Sequence, residues 1–416
     1  MPYAPTRVAH SEVQPRCSCS ERDRCYGRPA RSPDTVAARF QWDPVTTPSR
    51  PLTDRRIVVL TSSLAPGYND LWDAARPHVG ALKVVGARSE DPRAAQGPDV
   101  VSLPAFDLGR GLVWQHLPGL RRAVKSVRAD LVHVNRELWG VATQELLGLD
   151  TRIVVHGAEN IWDHGNRVEQ ALRRRLVSRA VRRIDGYASW NRRGADDVRS
   201  LSRRLLDREL PTFVVPAVVP PREFRAERWQ PQRVDERAPL RILLVGRMVA
   251  MKGFDDAIRA SGRLEREVCV SLCGEGPETP RLREVAREEG VILRERGLIE
   301  PVQLAALMAS AHVLLQPSLT TPTWAEQFGR SVAEAMTVGL PCLVSDSGEL
   351  PNVVGRDPRA VFREGDVDHM VTLLEAVTRD ADALRALSAD QGSLARRWQP
   401  QVAAGAMLEF WSTCIS

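Results

Sequence analysis

The chain has 416 residues, 43% apolar and 26% charged, with a formal net charge of +6, which is room for two to three domains and a sizeable core. Aromatic residues make up 5% of the chain and do not interleave with the basic clusters as a base-stacking platform requires, which argues against a nucleic-acid partner. No run of about 18 apolar residues is present and the N-terminus carries no apolar signal core, so the expected location is cytoplasmic.

Residues 1–50 are rich in Pro, Arg and Ser without periodicity and are expected to form a disordered tail. Cys17, Cys19 and Cys25 cluster there, but no second cysteine pair follows and His10 is the one nearby imidazole, so no metal site is assigned. The first ordered strand is read at 56–61, and the loop after it holds Gly67 alone. Strand-like runs recur at 82–86, 130–134, 152–156 and 186–189, separated by helical stretches. Such alternation implies a parallel, doubly wound sheet with ligands off the carboxyl ends of its strands. Position then separates two histidines. His133 lies inside its strand and is expected to be packed, whereas His156 closes its strand and opens Gly157-Ala-Glu-Asn160 on the ligand side.

Over 166–184 the pattern predicts a basic helix. Val168, Leu172, Leu176, Ala180 and Ile184 recur every four residues, with six arginines on the other sides. Two readings stand: a core-facing helix with a solvated arginine face, or peripheral contact with an anionic membrane at its inner face. The Pro-rich run 214–221 leads into a linker assigned to 223–239. This divides a first domain, 51–222, from a second, 240–392. An apolar-rich final helix over 393–416 carries Trp398, Phe410 and Trp411 as anchors.

The second domain begins with a strand at 241–245 that runs into Gly246-Arg-Met-Val-Ala-Met-Lys-Gly253. Arg247 and Lys252 flank this strand-to-helix loop, where both can oppose one diphosphate while Gly253 keeps the backbone close. A strand at 268–272 leads to Cys273-Gly-Glu-Gly-Pro277, placing Gly274 on a turn suited to the wall of a nucleotide site. Ser345-Asp-Ser-Gly-Glu349 ends a later strand at the same rim.

The most informative stretch is Trp324-Ala-Glu-Gln-Phe-Gly-Arg-Ser-Val-Ala-Glu334. Phe328, Gly329 and Arg330 stand at a helix start, whose free N–H groups favour an anion. Glu326 and Glu334 are eight residues apart, slightly more than two helical turns, so Glu334 lies one layer deeper on the same side. This element, set in Gln316–Arg330 and followed by Glu334-Ala-Met-Thr-Val-Gly-Leu-Pro341, resembles glycosyltransferase family 4. The resemblance is clear over about 241–355 and weaker from about residue 55.

The resemblance implies an α/β GT-B fold: two Rossmann-like domains with parallel sheets facing an interdomain cleft. It implies a retaining, metal-independent transferase that needs no cofactor, uses a nucleotide-diphosphate sugar as donor substrate and glycosylates an acceptor the sequence does not name. On that basis Arg247 and Lys252 bind the diphosphate, Glu334 the ribose and Glu326 the transferred sugar, while His156 matches a catalytic-site histidine of the first domain. Glu326 would then not touch the diphosphate, and Glu326→Gln is expected to leave affinity for free nucleotide nearly unchanged while slowing transfer. The family's usual Gly-Gly after the first strand is replaced here by Gly67 alone, and its common Asn-Gly near the linker by Ala217-Val218. Two other classes stay open: a catalytically silent scaffold of this fold, and a nucleotide-sugar epimerase or hydrolase. A scaffold has no need of the Arg247, Lys252, Glu326 and Glu334 charges.

Overall fold

Short runs of Val, Ile and Leu, buried on both faces, build two parallel sheets in the computed structural model, which describes residues 50–61, 64, 66–89, 97–107, 112–159, 165–206, 208–215, 217–225, 229, 238–379 and 381–415. The tail and its three cysteines lie outside the described residues. In chain order the first half contains β1 (Leu52–Leu60), α1 (Pro66–Ala75), β2 (Val79–Ala87), β3 (Val100–Leu103), a small antiparallel pair of β4 (Phe106–Asp107) with β5 (Gln115–His116), α2 (Leu120–Val127), β6 (Leu131–Val134), α3 (Val141–Leu146), β7 (Arg152–Gly157), α4 (Arg167–Arg183), β8 (Gly186–Ser189), α5 (Arg192–Leu206) and β9 (Thr212–Val214). Its sheet runs β3-β2-β1-β6-β7-β8-β9, and every pair is parallel.

The second half contains β10 (Leu240–Val245), α6 (Phe254–Gly262), β11 (Val268–Cys273), α7 (Thr279–Glu288), β12 (Ile292–Gly297), α8 (Pro301–Ser310), β13 (Val313–Gln316), α9 (Arg330–Val338), β14 (Cys342–Ser345), α10 (Leu350–Val353), β15 (Val361–Phe362), α11 (Val367–Thr378), α12 (Ala381–Ala395) and α13 (Pro400–Ile415). Its sheet runs β12-β11-β10-β13-β14-β15, again wholly parallel. Two Rossmann-like units result, the GT-B arrangement. In the second, chain order reverses between β10 and β13, and a crevice opens off the carboxyl ends of strands at such a switch point.

The last helix does not run unbroken from residue 393. Arg396–Trp398 form a single tight turn, Gln399 is extended as the residue before a proline tends to be, and Pro400 starts α13. Ala403, Met407, Phe410 and Trp411 are buried in one apolar cluster with Val59 of β1, Trp72 of α1 and Val154 of β7. A helix reached from the second sheet therefore closes one face of the first. Trp411 Nε1 donates to His133 Nδ1 at 3.1 Å, so the packed histidine also anchors this helix.

Helix α4 begins with a capping box between Asn166 and Glu169. Its four-residue apolar stripe divides: Ala180 and Ile184 are buried, while Val168 is 78% exposed and Leu172 45%. Arg173 goes the other way, buried with its guanidinium 4.4 Å from the Trp139 ring centroid. Among the described residues no helix is long and apolar enough to cross a membrane.

Candidate functional site

Loops after β10, β11, β13 and β14 meet at the switch point of the second sheet. Gly253, at φ +61°, turns the chain from the β10 loop into α6. A Cβ there would collide with the Pro317 carbonyl, so only glycine lets this loop lie against the one after β13. Gly274 is equally pressed against the Gly246 carbonyl, and its N–H donates to Gly297 O at 2.8 Å. Lys252, one residue before Gly253, reaches across this contact. Its Nζ donates to Glu326 Oε2 at 2.6 Å, with the two side chains 14% and 11% exposed. The Trp324 ring lies 5.3 Å from the same ammonium. Arg247, on the other arm of the loop, is exposed.

Glu326 is fixed from several sides. Ser318 Oγ donates to its Oε2 at 2.9 Å, and Gln316 Nε2 donates to Ser318 Oγ at 2.9 Å. Ser331 Oγ, on the first turn of α9, donates to Gln316 Oε1 at 3.1 Å. From the last residue of β14, Ser345 Oγ donates to Ser318 O at 2.6 Å, and from the loop after it the Glu349 N–H donates to Glu326 O at 3.0 Å. Spacing along the chain carried no sign that Ser318 reaches this carboxylate.

Phe328 is buried, Gly329 at φ +79° precedes α9, and Arg330 at its first position is exposed. Glu334 sits one turn further on and is partly shielded. Burial pushes its carboxyl up to about 7, against the opposing charge of Arg330.

His156 is the last residue but one of β7, at 3% exposure. Its Nε2 lies 3.0 Å from Val215 O, and since a carbonyl can only accept, Nε2 carries the proton. Nδ1 is then an acceptor, and it has no hydrogen-bond partner among the described residues. Burial holds the imidazole down to about 4, so the ring is neutral at neutral pH. The histidine does not touch the Lys252–Glu326 pair. Aromatic edges join the two regions instead: His156 to Trp190 at 6.4 Å, Trp190 to Phe328 at 6.5 Å and Phe328 to Trp398 at 6.1 Å between centroids. Beside them the backbone N–H of Arg192, first residue of α5, donates to Glu349 Oε2 at 3.2 Å. Burial pushes the Glu349 carboxyl up to about 7. Among the described residues no group of three His, Cys, Asp or Glu side chains is arranged to hold a metal ion. Asp366 instead caps α11, and Asp368 pairs with Arg263 at 2.6 Å.

Residues 226–393 match the family described as glycosyl transferases group 1. A 2-deoxystreptamine glucosyltransferase from Streptomyces kanamyceticus is 27% identical over 69% of this chain and 78% of its own length. A GDP-mannose-dependent α-(1-6)-phosphatidylinositol dimannoside mannosyltransferase from Mycobacterium tuberculosis is 28% identical over 69% and 76%. Among solved structures, a sucrose-phosphate synthase from Thermosynechococcus elongatus superposes with a TM-score of 0.62 at 16% identity, over 85% of this chain and 97% of that one. The identity shows a shared fold and no more. Sheet order, cleft loops and these relatives together make the chain a nucleotide-sugar-dependent glycosyltransferase of the GT-B fold, related to glycosyltransferase family 4, with its acceptor unidentified.

Proposed function

We propose that the chain transfers a hexose with retention of configuration, and that side chains rather than a metal ion neutralise the leaving diphosphate. The observation that carries this is the meeting of Lys252 with Glu326 beside the start of α9, at the switch point of the second sheet. Lys252, Arg247 and the backbone N–H groups at Phe328-Gly329-Arg330 take the phosphates, with Gly253 and Gly274 giving the backbone its close approach. Glu334 accepts from the ribose hydroxyls and Glu326 from those of the sugar. His156 keeps a neutral Nδ1 lone pair for a sugar hydroxyl, and engaging it requires Trp190 to yield, because the ring is buried. With the donor in place Glu326 accepts from the Ser318 hydroxyl and from the sugar hydroxyls, a poor state for a nucleophile, so transfer on one face of the sugar is favoured over a covalent glycosyl-enzyme.

The names of the relatives differ, 2-deoxystreptamine in one and phosphatidylinositol dimannoside in another, so they do not choose between a secondary metabolite and a lipid-linked glycan. Exposed Val168 and Leu172 beside the exposed arginines of α4 favour peripheral contact with an anionic inner membrane face in the cytoplasm. Calorimetry tests the site. Lys252→Ala should weaken binding of a nucleotide sugar by about 1.5–3 kcal/mol, the scale of a charge-assisted hydrogen bond. Equal affinity in the variant and the natural protein would remove the assignment.

A further inference from the structure

We propose that Glu326 distinguishes intact donor from spent nucleotide by competing with the diphosphate for Lys252. The inference rests on the placement of the diphosphate at Lys252. In the cleft Lys252 Nζ is 2.6 Å from Glu326 Oε2, both side chains are largely shielded, and Trp324 lies over the ammonium. A phosphate that takes Lys252 must split this pair, and splitting a shielded pair is costly unless each charge gains a new partner. A free diphosphate satisfies only the ammonium. It leaves Glu326 with the Ser318 hydroxyl as donor to its Oε2 and adds negative charge beside a carboxylate whose chain is pinned by Gln316, Ser345 and the Glu349 N–H.

A nucleotide sugar satisfies both halves. Its phosphates replace the carboxylate at Lys252, and its sugar hydroxyls donate to Glu326. Once the sugar has left, the acceptance at Glu326 is lost and the repulsion remains, so the same carboxylate that holds the donor promotes release of the product. This differs from the independence of the two ends of the site expected from sequence, in which Glu326 has no influence on free nucleotide.

The test is titration calorimetry with inorganic pyrophosphate and with UDP, GDP and ADP, followed by product-inhibition constants under turnover. Glu326→Gln keeps the shape, removes the anion and frees Lys252. The expected result is free diphosphate binding about five- to tenfold more tightly than to the natural protein, with stronger product inhibition and slower transfer. A residue that merely supported the fold would weaken binding when replaced. Glu326→Ala is the second neutral variant, with the same direction expected should the glutamine variant be poorly folded. Unchanged or weaker diphosphate binding in both folded variants, while Lys252→Ala still weakens it, overturns the competition and leaves the diphosphate site standing. Diphosphate affinity unmoved by Lys252→Ala overturns the site itself.

Discussion

Replacing Glu334 by glutamine separates what this residue does for the ligand from what it costs the fold. Burial raises its carboxyl from an ordinary 4.5 to about 7. A proton therefore binds more tightly to the folded chain than to the unfolded one. The stability it contributes is fully present below the unfolded value and is lost as pH rises through about 7. Multiplying the rise by about 1.36 kcal/mol per pH unit sets a ceiling near 3 kcal/mol above pH 8. The side chain is partly exposed, and solvent screening trims this to about 1–2 kcal/mol. Glutamine does not ionise. Thermal melts at pH 4 and pH 8 should thus show Glu334→Gln level with the natural protein in acid and more stable by that margin in base. Glu349 shifts in the same direction but is common to both proteins, so the difference isolates Glu334. If Glu334 also holds the ribose, the stabilised variant should lose about tenfold in nucleotide affinity at pH 8. Parallel melting profiles for the two proteins would refute the burial argument.

Gly253→Ala should lose about 2 kcal/mol or more in thermal unfolding, because its φ is left-handed and the new methyl meets the Pro317 carbonyl. Trp411→Phe removes the donor to His133 Nδ1 between two wholly buried side chains, and denaturant melts should show a loss of about 1–3 kcal/mol with nucleotide affinity unchanged. With cations supplied by Lys252 and Arg247, initial rates in excess EDTA should equal those without it. Loss of activity restored by magnesium or manganese would overturn that reading.

The parallel sheets were legible because buried central strands are nearly continuous runs of Val, Ile and Leu, as in Ile57–Leu60, Val132–Val134 and Ile242–Val245. Strand β12 was not. Its residues Ile292-Leu-Arg-Glu-Arg-Gly297 alternate charge with little apolar content, because the strand stands at the edge of the second sheet with Arg294, Glu295 and Arg296 exposed. The stripe on α4 was read at a strict four-residue spacing, which drifts off one face of a helix with 3.6 residues per turn: the buried face runs through Arg173, Val177, Ala180 and Val181, and Val168 and Leu172 turn outward.

By itself the sequence determined the alternation of strand and helix, and the loops where a phosphate-binding cation, a left-handed glycine and two carboxylates recur at functional spacing. Those properties are local: they depend on backbone preference and on period. Only the tertiary structure decided that Lys252 lies on Glu326, that Ser318 and Glu349 hold that carboxylate's segment, and that the His156 ring packs edge-on to Trp190. Each joins residues from different loops, and the distance between such loops is set by the order in which the strands enter the sheet. The shift at Glu334 has the same origin, since burial is a property of what packs around a carboxyl and is absent from the residues on either side of it in the chain.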